Sequence, residues 1–265
     1  MARVLRESWR AGLAAARRAG WRGPLLAALS YVPFAALAPL AGGQLLVVGL
    51  VLHTIVLLAL VRLLGAWRPE PLPRVPEVDE QGRRVAPPPR PGPRTGAGDR
   101  NPRTALRNAW RLGRPAVSLT GLYLLGEVGA LMVAVVLSGG KLAEYSASVQ
   151  TGAVMPVAAL FLAFVALAPQ RVALEGDTRV LVAAAHSVRI AKTTYGVLLL
   201  LTVVEPLVLV ATALAAGDDL GTPRAVVALT TGFVVETVAS VLVTAMSNEL
   251  YLRGARLDLP VDAPR

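Results

Sequence analysis

The sequence contains no cysteine and only two histidines, His53 and His186. These absences exclude a disulfide framework, a thiol nucleophile and the common Cys/His zinc sites. Charged residues are also scarce, at 17% of the 265 residues, whereas 54% are hydrophobic and the mean hydropathy is +0.56. Soluble domains carry about 25% charged residues. The composition therefore excludes an ordinary soluble domain and indicates a membrane protein.

Six apolar segments account for most of the hydrophobic residues: 25–41, 45–66, 116–138, 152–170, 194–216 and 225–247. A helix of about 20 apolar residues crosses a hydrocarbon core of about 30 Å. The first segment is short and contains Pro33 and Pro39, so a re-entrant hairpin with the second segment is an alternative to a full crossing. The sequence thus predicts an all-α, polytopic membrane protein with six transmembrane helices.

The positive charges are distributed very unevenly among the loops. If the chain crosses six times and both termini are inside, all but Lys141 and Arg224 of the 27 Lys and Arg residues lie on the cytoplasmic side. Cations in short loops are retained in the cytoplasm during insertion. We therefore expect a multi-pass protein of the cell membrane with both termini cytoplasmic. Because the cations fall between apolar runs, we expect no nucleic-acid partner.

A proline-rich segment divides the chain into three parts. Residues 68–102 contain ten prolines and few apolar residues, which predicts a disordered cytoplasmic linker between a first hairpin in 1–67 and a membrane domain in 103–265. Within the linker, residues 87–94 favour polyproline II, a conformation that the aromatic groove of a protein partner binds. The alternative is a semi-rigid spacer beside an anionic membrane surface.

The chain also shows an internal repeat. A shift of 78 residues places residues 109–112 on 187–190, Arg114 on Lys192, and Glu127 on Glu205. Each unit combines a basic amphipathic helix, here called an elbow, with a hairpin of two apolar segments, and the N-terminus supplies a third unit. The alternative is that basic stretches beside apolar segments resemble one another. The cations expected to contact anionic lipid headgroups are Arg103, Arg107, Arg111, Arg114, Arg189 and Lys192.

Short motifs resemble the glycerophosphodiester phosphodiesterase membrane-domain-like family. They are Ala168-Pro169 to Leu174-Glu175-Gly176, Ser187-Val188-Arg189-Ile190, the elbow runs Ser8-Trp9-Arg10 and Ala109-Trp110-Arg111-Leu112, and the ending Leu250-Tyr251, Arg253, Arg256 and Leu257-Asp258-Leu259. The resemblance implies the membrane part of that family. Nothing in the chain resembles the soluble catalytic domain that some members carry, so the resemblance implies no phosphodiesterase activity.

Three carboxyl groups, those of Glu127, Glu205 and Glu236, are predicted near the middle of apolar segments. Each lies about eleven residues, or about 17 Å, from the start of its segment. On the last segment, Ser240 and Thr244 follow Glu236 at four-residue spacing and share its helix face, and His53 lies at a similar depth. Such groups bind a cation or carry protons in transporters. Alternatively, protonated glutamic acids hydrogen-bond between helices and set their register.

Residues arranged for catalysis are lacking. His186 and Ser187 are adjacent and point about 100° apart on a helix, and Asp218 and Asp219 have no third ligand nearby. We therefore expect no enzyme, no cofactor and no metal site. The leading hypothesis is a non-enzymatic scaffold or accessory protein that contacts anionic lipid through its elbows and a protein partner through the linker. The alternative is a small proton- or cation-coupled transporter that uses the three glutamates.

Overall fold

The computed structural model describes residues 2–37, 43–68, 77–78, 84–85, 97–144, 147–217 and 222–257. These residues form nine α-helices: α1 Ala2–Ala19, α2 Arg22–Leu37, α3 Gly43–Ala66, α4 Pro102–Trp110, α5 Gly113–Leu137, α6 Ala147–Val165, α7 Ala168–Glu175, α8 Val180–Ala216 and α9 Pro223–Leu257. Two strands of two residues each, β1 Glu77–Val78 and β2 Arg84–Val85, pair antiparallel between α3 and α4. Apart from this small ladder, the all-α prediction is confirmed for the described residues.

Five helical stretches in the described residues are long and apolar enough to cross a membrane: Val47–Ala66, Gly113–Leu137, Val157–Glu175, Val180–Ala216 and Pro223–Gly254. The predicted span that is missing from this set, 25–41, corresponds to α2, which has only 16 residues and contains Pro33. The predicted segment 152–170 is divided between α6 and α7, with a break at residues 166–167. Proline at the second position of α7 is compatible with a new helix start, because the first turn needs no donor there.

Helices α3 and α9 lie at the centre of the bundle. Helix α9 packs against α1, α2, α3 and α8, and α3 packs against α2, α4, α5 and α7. Small residues allow several of these helices to approach closely, as is typical where lipid removes the hydrophobic driving force between helices. A Cβ atom on Gly12 would lie 3.1 Å from the main chain of Ala245, and one on Gly126 would lie 2.8 Å from Leu162 Cδ2.

Two of the three predicted elbows are separate helices, α1 and α4, and the third prediction is wrong in this respect. Residues 180–192 continue without a break into the apolar part of α8. Helix α4 ends before Pro115, which cannot donate a main-chain hydrogen bond to a preceding turn. The 78-residue shift places Thr193 at the equivalent position of α8, so the helix continues.

The folded structure extends into the predicted linker at both of its ends. Arg100 Nε donates to the main-chain carbonyl oxygen of Ala66 at 3.1 Å, and Trp67 Nε1 donates to that of Arg100 at 3.4 Å. Residues 97–100 form a 3₁₀ turn, and Asn101 then caps α4 by accepting from the Arg103 main-chain N–H. Residues 69–76, 79–83 and 86–96, including the predicted polyproline II stretch at 87–94, lie outside the described residues.

Candidate functional site

Four polar side chains from three helices meet where α2 and α8 pack against α9. We call this group the acid cluster: Tyr31 on α2, Glu205 on α8, and Glu236 and Ser240 on α9. Glu236 and Ser240 are one helical turn apart, so they point to the same side of α9. That side is buried along its whole length, from Gly232 through Thr244 to Asn248. The polar residues predicted to share one face of the last helix therefore lie on a single buried face.

Hydrogen bonds join the acid cluster into a single chain. Ser240 Oγ donates to Glu205 Oε1 at 2.8 Å, and Tyr31 Oη donates to Glu236 Oε1 at 3.0 Å when both acids are ionised. The hydroxyl oxygens of Tyr31 and Ser240 are 3.1 Å apart, and either one can donate to the other. Glu236 is only 6% exposed, and its Oε2 has no hydrogen-bond partner among the described residues. The cluster thus connects two buried carboxyl groups through two hydroxyl groups.

His53 lies beside this cluster on α3. Its ring centroid is 5.4 Å from that of Tyr31, and its Nδ1 is 2.9 Å from the main-chain carbonyl oxygen of Ser30. Because a carbonyl oxygen only accepts, Nδ1 carries the hydrogen. Thr244 is buried one turn beyond Ser240 on the same face of α9. His53 and Thr244 therefore border the chain of hydrogen bonds and are not links in it.

Glu127, the third predicted carboxyl group, lies apart from the other two. Its side chain is exposed on α5, a helix that packs against α3 and α6. The structure therefore brings together Glu205 and Glu236 but not Glu127. Tyr31, which completes the cluster, could not be predicted from the sequence, because an aromatic residue in an apolar helix is ordinary and its partner Glu236 lies 205 positions away.

The cations predicted to meet lipid headgroups are exposed. Helix α4 buries Ala105 and Ala109 against the bundle. An exposed basic surface, which we call the basic surface of α4, runs from α4 through the following turn to the first residues of α5 and consists of Arg103, Arg107, Arg111 and Arg114. None of these four arginines forms an ion pair with an acid among the described residues. Arg189 and Lys192 are likewise exposed on α8. Trp110 is 61% exposed at the end of α4, as expected of an aromatic ring at a membrane interface.

Two other arginines, the buried Arg62 and the partly buried Arg68, form ion pairs within the bundle. Arg62 donates to Asp99 Oδ2 at 2.8 Å and to the main-chain carbonyl oxygen of Ala173 at 2.6 Å, and Asn108 Nδ2 donates to Asp99 Oδ1 at 2.7 Å. Arg68 binds Glu249 through two nitrogens, at 2.5 and 3.0 Å. The charge distribution of the sequence placed Arg62 and Arg68 only among the cytoplasmic cations. A cation inside an apolar run, as Arg62 is, was the available signal for a buried partner.

A further ionic group surrounds Asp177 in the connection between α7 and α8. Burial alone would raise the pKa of Asp177, but three interactions outweigh it: the main-chain N–H of Arg179 donates to Oδ1 at 3.0 Å, and the guanidinium groups of Arg171 and Arg179 lie at 3.1 and 3.4 Å. The pKa of Asp177 is therefore lower than its ordinary value. The carboxyl group of Glu175 accepts from Tyr251 Oη, which ties this connection to α9.

An apolar groove of about 810 Å³ runs along α5 beside the start of α8. It is lined mainly by Ser118, Gly121, Leu125, Val128, Arg179 and Leu181. Its length on α5, about ten residues or about 15 Å, corresponds to about half of a hydrocarbon core.

Groups of three or more His, Cys, Asp or Glu side chains placed to hold a metal ion do not occur among the described residues. Comparison of the chain with protein-family models, curated proteins and solved structures finds no match.

Proposed function

We propose that the protein is a non-enzymatic integral membrane scaffold or accessory protein that binds anionic lipid through the basic surface of α4. The observation that carries the proposal is that all four arginines of this surface are exposed and lack an acidic partner among the described residues. Each cation near an anionic surface contributes about 1 kcal/mol. The apolar groove on α5 supports the proposal, since a lipid acyl chain that lies in it would contact apolar side chains.

The proposal includes six crossings arranged as three related hairpins, with α2 as the first crossing and both termini cytoplasmic. The pairing of α2 with α3, and of α8 with α9, supports the hairpins. The proposal also includes the resemblance to the membrane part of the glycerophosphodiester phosphodiesterase membrane-domain-like family. Recruitment of a protein partner by the proline-rich linker is a further part of it.

Lipid retention tests the proposal directly. Purified protein in a mild detergent is titrated with phosphatidylglycerol or phosphatidylcholine, and bound lipid is counted by native mass spectrometry. Arg103→Gln with Arg107→Gln removes about 2 kcal/mol of attraction, which corresponds to about a 30-fold weaker binding of phosphatidylglycerol. The control, Lys141→Gln with Arg224→Gln, removes the same charge outside α4. Equal losses in both double variants would contradict a specific role of α4.

Sidedness is tested with single introduced cysteines, since the chain has none of its own. In intact cells, an impermeant thiol reagent is expected to label Glu144→Cys, in the turn between α5 and α6, and to leave Arg107→Cys unlabelled until the membrane is opened. Labelling of Arg107→Cys from outside would overturn the cytoplasmic placement of α4.

A second candidate, a small proton- or cation-coupled transporter, is favoured by one observation: two carboxyl groups, those of Glu205 and Glu236, meet in the acid cluster. Ionisable residues inside a membrane bundle commonly mark ion pathways. This candidate predicts pH-dependent solute or cation flux in liposomes that Glu205→Gln and Glu236→Gln abolish. Wild-type protein without flux would leave the scaffold as the better proposal.

A further inference from the structure

The acid cluster contains three hydrogen-bond contacts between oxygen atoms, but its two hydroxyl groups supply hydrogens for only two of them. Four oxygens meet in three contacts: Glu205 with Ser240 at 2.8 Å, Ser240 with Tyr31 at 3.1 Å, and Tyr31 with Glu236 at 3.0 Å. Each hydrogen bond requires a hydrogen between its two oxygens. Serine and tyrosine supply one hydrogen each, and an ionised carboxylate supplies none. Three contacts therefore need a third hydrogen, which only a carboxyl group of the cluster can provide.

If both acids were ionised, Ser240 would donate to Glu205 and Tyr31 to Glu236, and the two hydroxyl oxygens would face each other with lone pairs alone. Two negative charges would then also lie inside the helix bundle, where charge is costly. One added hydrogen completes all three contacts and removes one charge. We propose that Glu205 and Glu236 together bind a single proton, which the chain through Ser240 and Tyr31 passes between them.

The transfer is balanced atom by atom. With the proton on Glu236, its O–H donates to Tyr31, Tyr31 donates to Ser240, and Ser240 donates to the Glu205 carboxylate. If each hydrogen moves to the acceptor of its own hydrogen bond, three O–H bonds break and three form. Glu205 is then protonated, Tyr31 and Ser240 remain neutral, and Glu236 is the carboxylate. One unit of positive charge has moved from α9 to α8, and nothing has been oxidised or reduced.

The surroundings favour Glu236 as the resting position of the proton. Its Oε2 is buried and lacks a hydrogen-bond partner among the described residues, so an ionised Glu236 would leave a charged oxygen unsatisfied. Among the described residues, the other titratable groups with an electrostatic interaction with Glu205 are His53 on α3 and Tyr123 on α5. Helix α6 carries no titratable residue, and Glu7 of α1 binds Arg253, outside the cluster.

Infrared spectroscopy of the full chain in lipid bilayers at neutral pH tests the shared proton. A protonated carboxyl group has a carbonyl stretching band that an ionised carboxylate lacks, so the intensity of the band counts bound protons. A glutamine side chain offers an N–H donor in place of the acid O–H. Glu205→Gln is therefore expected to leave Glu236 ionised, and Glu236→Gln to leave Glu205 ionised. Each variant loses one carboxylic acid equivalent relative to the wild type.

The double variant Glu205→Gln with Glu236→Gln decides the matter. A shared proton predicts that it loses one equivalent, the same as either single variant. A loss of two equivalents would mean that each acid binds its own proton, and no loss would mean that both are ionised; either result overturns the proposal. Glu127→Gln serves as a matched control. Because Glu127 lies outside the acid cluster, the losses of carboxylic acid caused by Glu127→Gln and Glu205→Gln must add in the double variant.

A milder variant tests the path between the acids. Tyr31→Phe removes only the hydroxyl group that joins Ser240 to Glu236, so the effects of Glu205→Gln and Glu236→Gln are expected to become additive in this background. In the control Tyr195→Phe, which loses a hydroxyl group that donates to Leu160, they stay non-additive. Non-additivity that survives in Tyr31→Phe would overturn the path. The number of protonated carboxyl groups can be measured whether or not the protein transports anything. A wild-type protein without flux would therefore contradict the transporter proposal but not the shared proton.

Discussion

Arg100 Nε lies 3.1 Å from the main-chain carbonyl oxygen of Ala66, so the chain returns after residue 96 to the point where it left α3. The guanidinium groups of Arg22 and Arg100 both lie over the ring of Trp67, 5.5 and 5.1 Å from its centroid. Such contacts contribute about 0.5–1 kcal/mol each at exposed sites. Contacts of Arg100 with Ala66 and Trp67 therefore join the two ends of the segment between α3 and α4.

Shortening this segment is expected to leave the fold intact. Residues 69–96 are replaced with a Gly-Ser linker of about a quarter of that length. Because each halving of a loop lowers the entropic cost of its closure by about 0.6 kcal/mol, the cost falls by about 1.2 kcal/mol in total. We expect an equal or slightly higher midpoint of thermal unfolding, measured in detergent by helical circular dichroism. Extending the deletion through Asp99 and Arg100 should lower the midpoint. A similar drop for both deletions would contradict a role of these contacts in joining the two ends.

Asp99→Asn is expected to destabilise the protein by about 3–5 kcal/mol, because it leaves the buried Arg62 guanidinium group without its counter-charge. The comparison variant is Glu7→Gln, which breaks the pair with Arg253 at a half-exposed site and should cost about 1 kcal/mol or less. Denaturant unfolding of both variants measures the difference. Equal costs would show that the Arg62–Asp99 pair is not effectively buried.

Gly232→Ala tests how closely α8 and α9 approach. An added Cβ would lie 2.1 Å from Thr212 Oγ1 and 2.4 Å from its Cγ2, so the helices must separate. Overpacking of this kind costs about 1–3 kcal/mol. Gly129→Ala, on the open side of α5, meets no atom within 4 Å and should stabilise by about 0.5–1 kcal/mol. The two free energies of unfolding should differ in sign, and a stabilising Gly232→Ala would refute the close approach.

The pH dependence of stability is expected to include a contribution from Asp177. Since its pKa is lower in the folded protein than in the unfolded chain, its ion pairs stabilise the fold above the unfolded value of about 3.9 and are lost as the pH falls through the folded value. The wild type should therefore exceed Asp177→Asn in stability at neutral pH, and the gap should close below about pH 4. A gap that stays constant down to acid pH would argue against these ion pairs.

Local patterns were sufficient for several features of the fold. The four-residue spacing of Glu236, Ser240 and Thr244 predicted that they share one face of the last helix, and in the structure that face of α9 is buried. The amphipathic pattern at residues 103–114 predicted a basic surface, and in the structure its four arginines are exposed. A shift of 78 residues placed Glu127 and Glu205 in equivalent positions, but did not predict that only Glu205 joins the acid cluster. Helix α8 packs against α9, whereas α5 packs against α3 and α6.

From the sequence alone follow the long apolar helices, the basic amphipathic helices beside them and the position of each glutamate along its helix, because each depends on residues within a few turns of one another. Only the tertiary structure decided that Tyr31 joins Ser240 to Glu236, that Arg62 meets Asp99, and that the third elbow merges with its helix. These features depend on which helices pack together. The pairing of helices is decided by several apolar surfaces that pack at the same time. A hydroxyl group or an arginine in an apolar run signals that a partner is needed, but not which one.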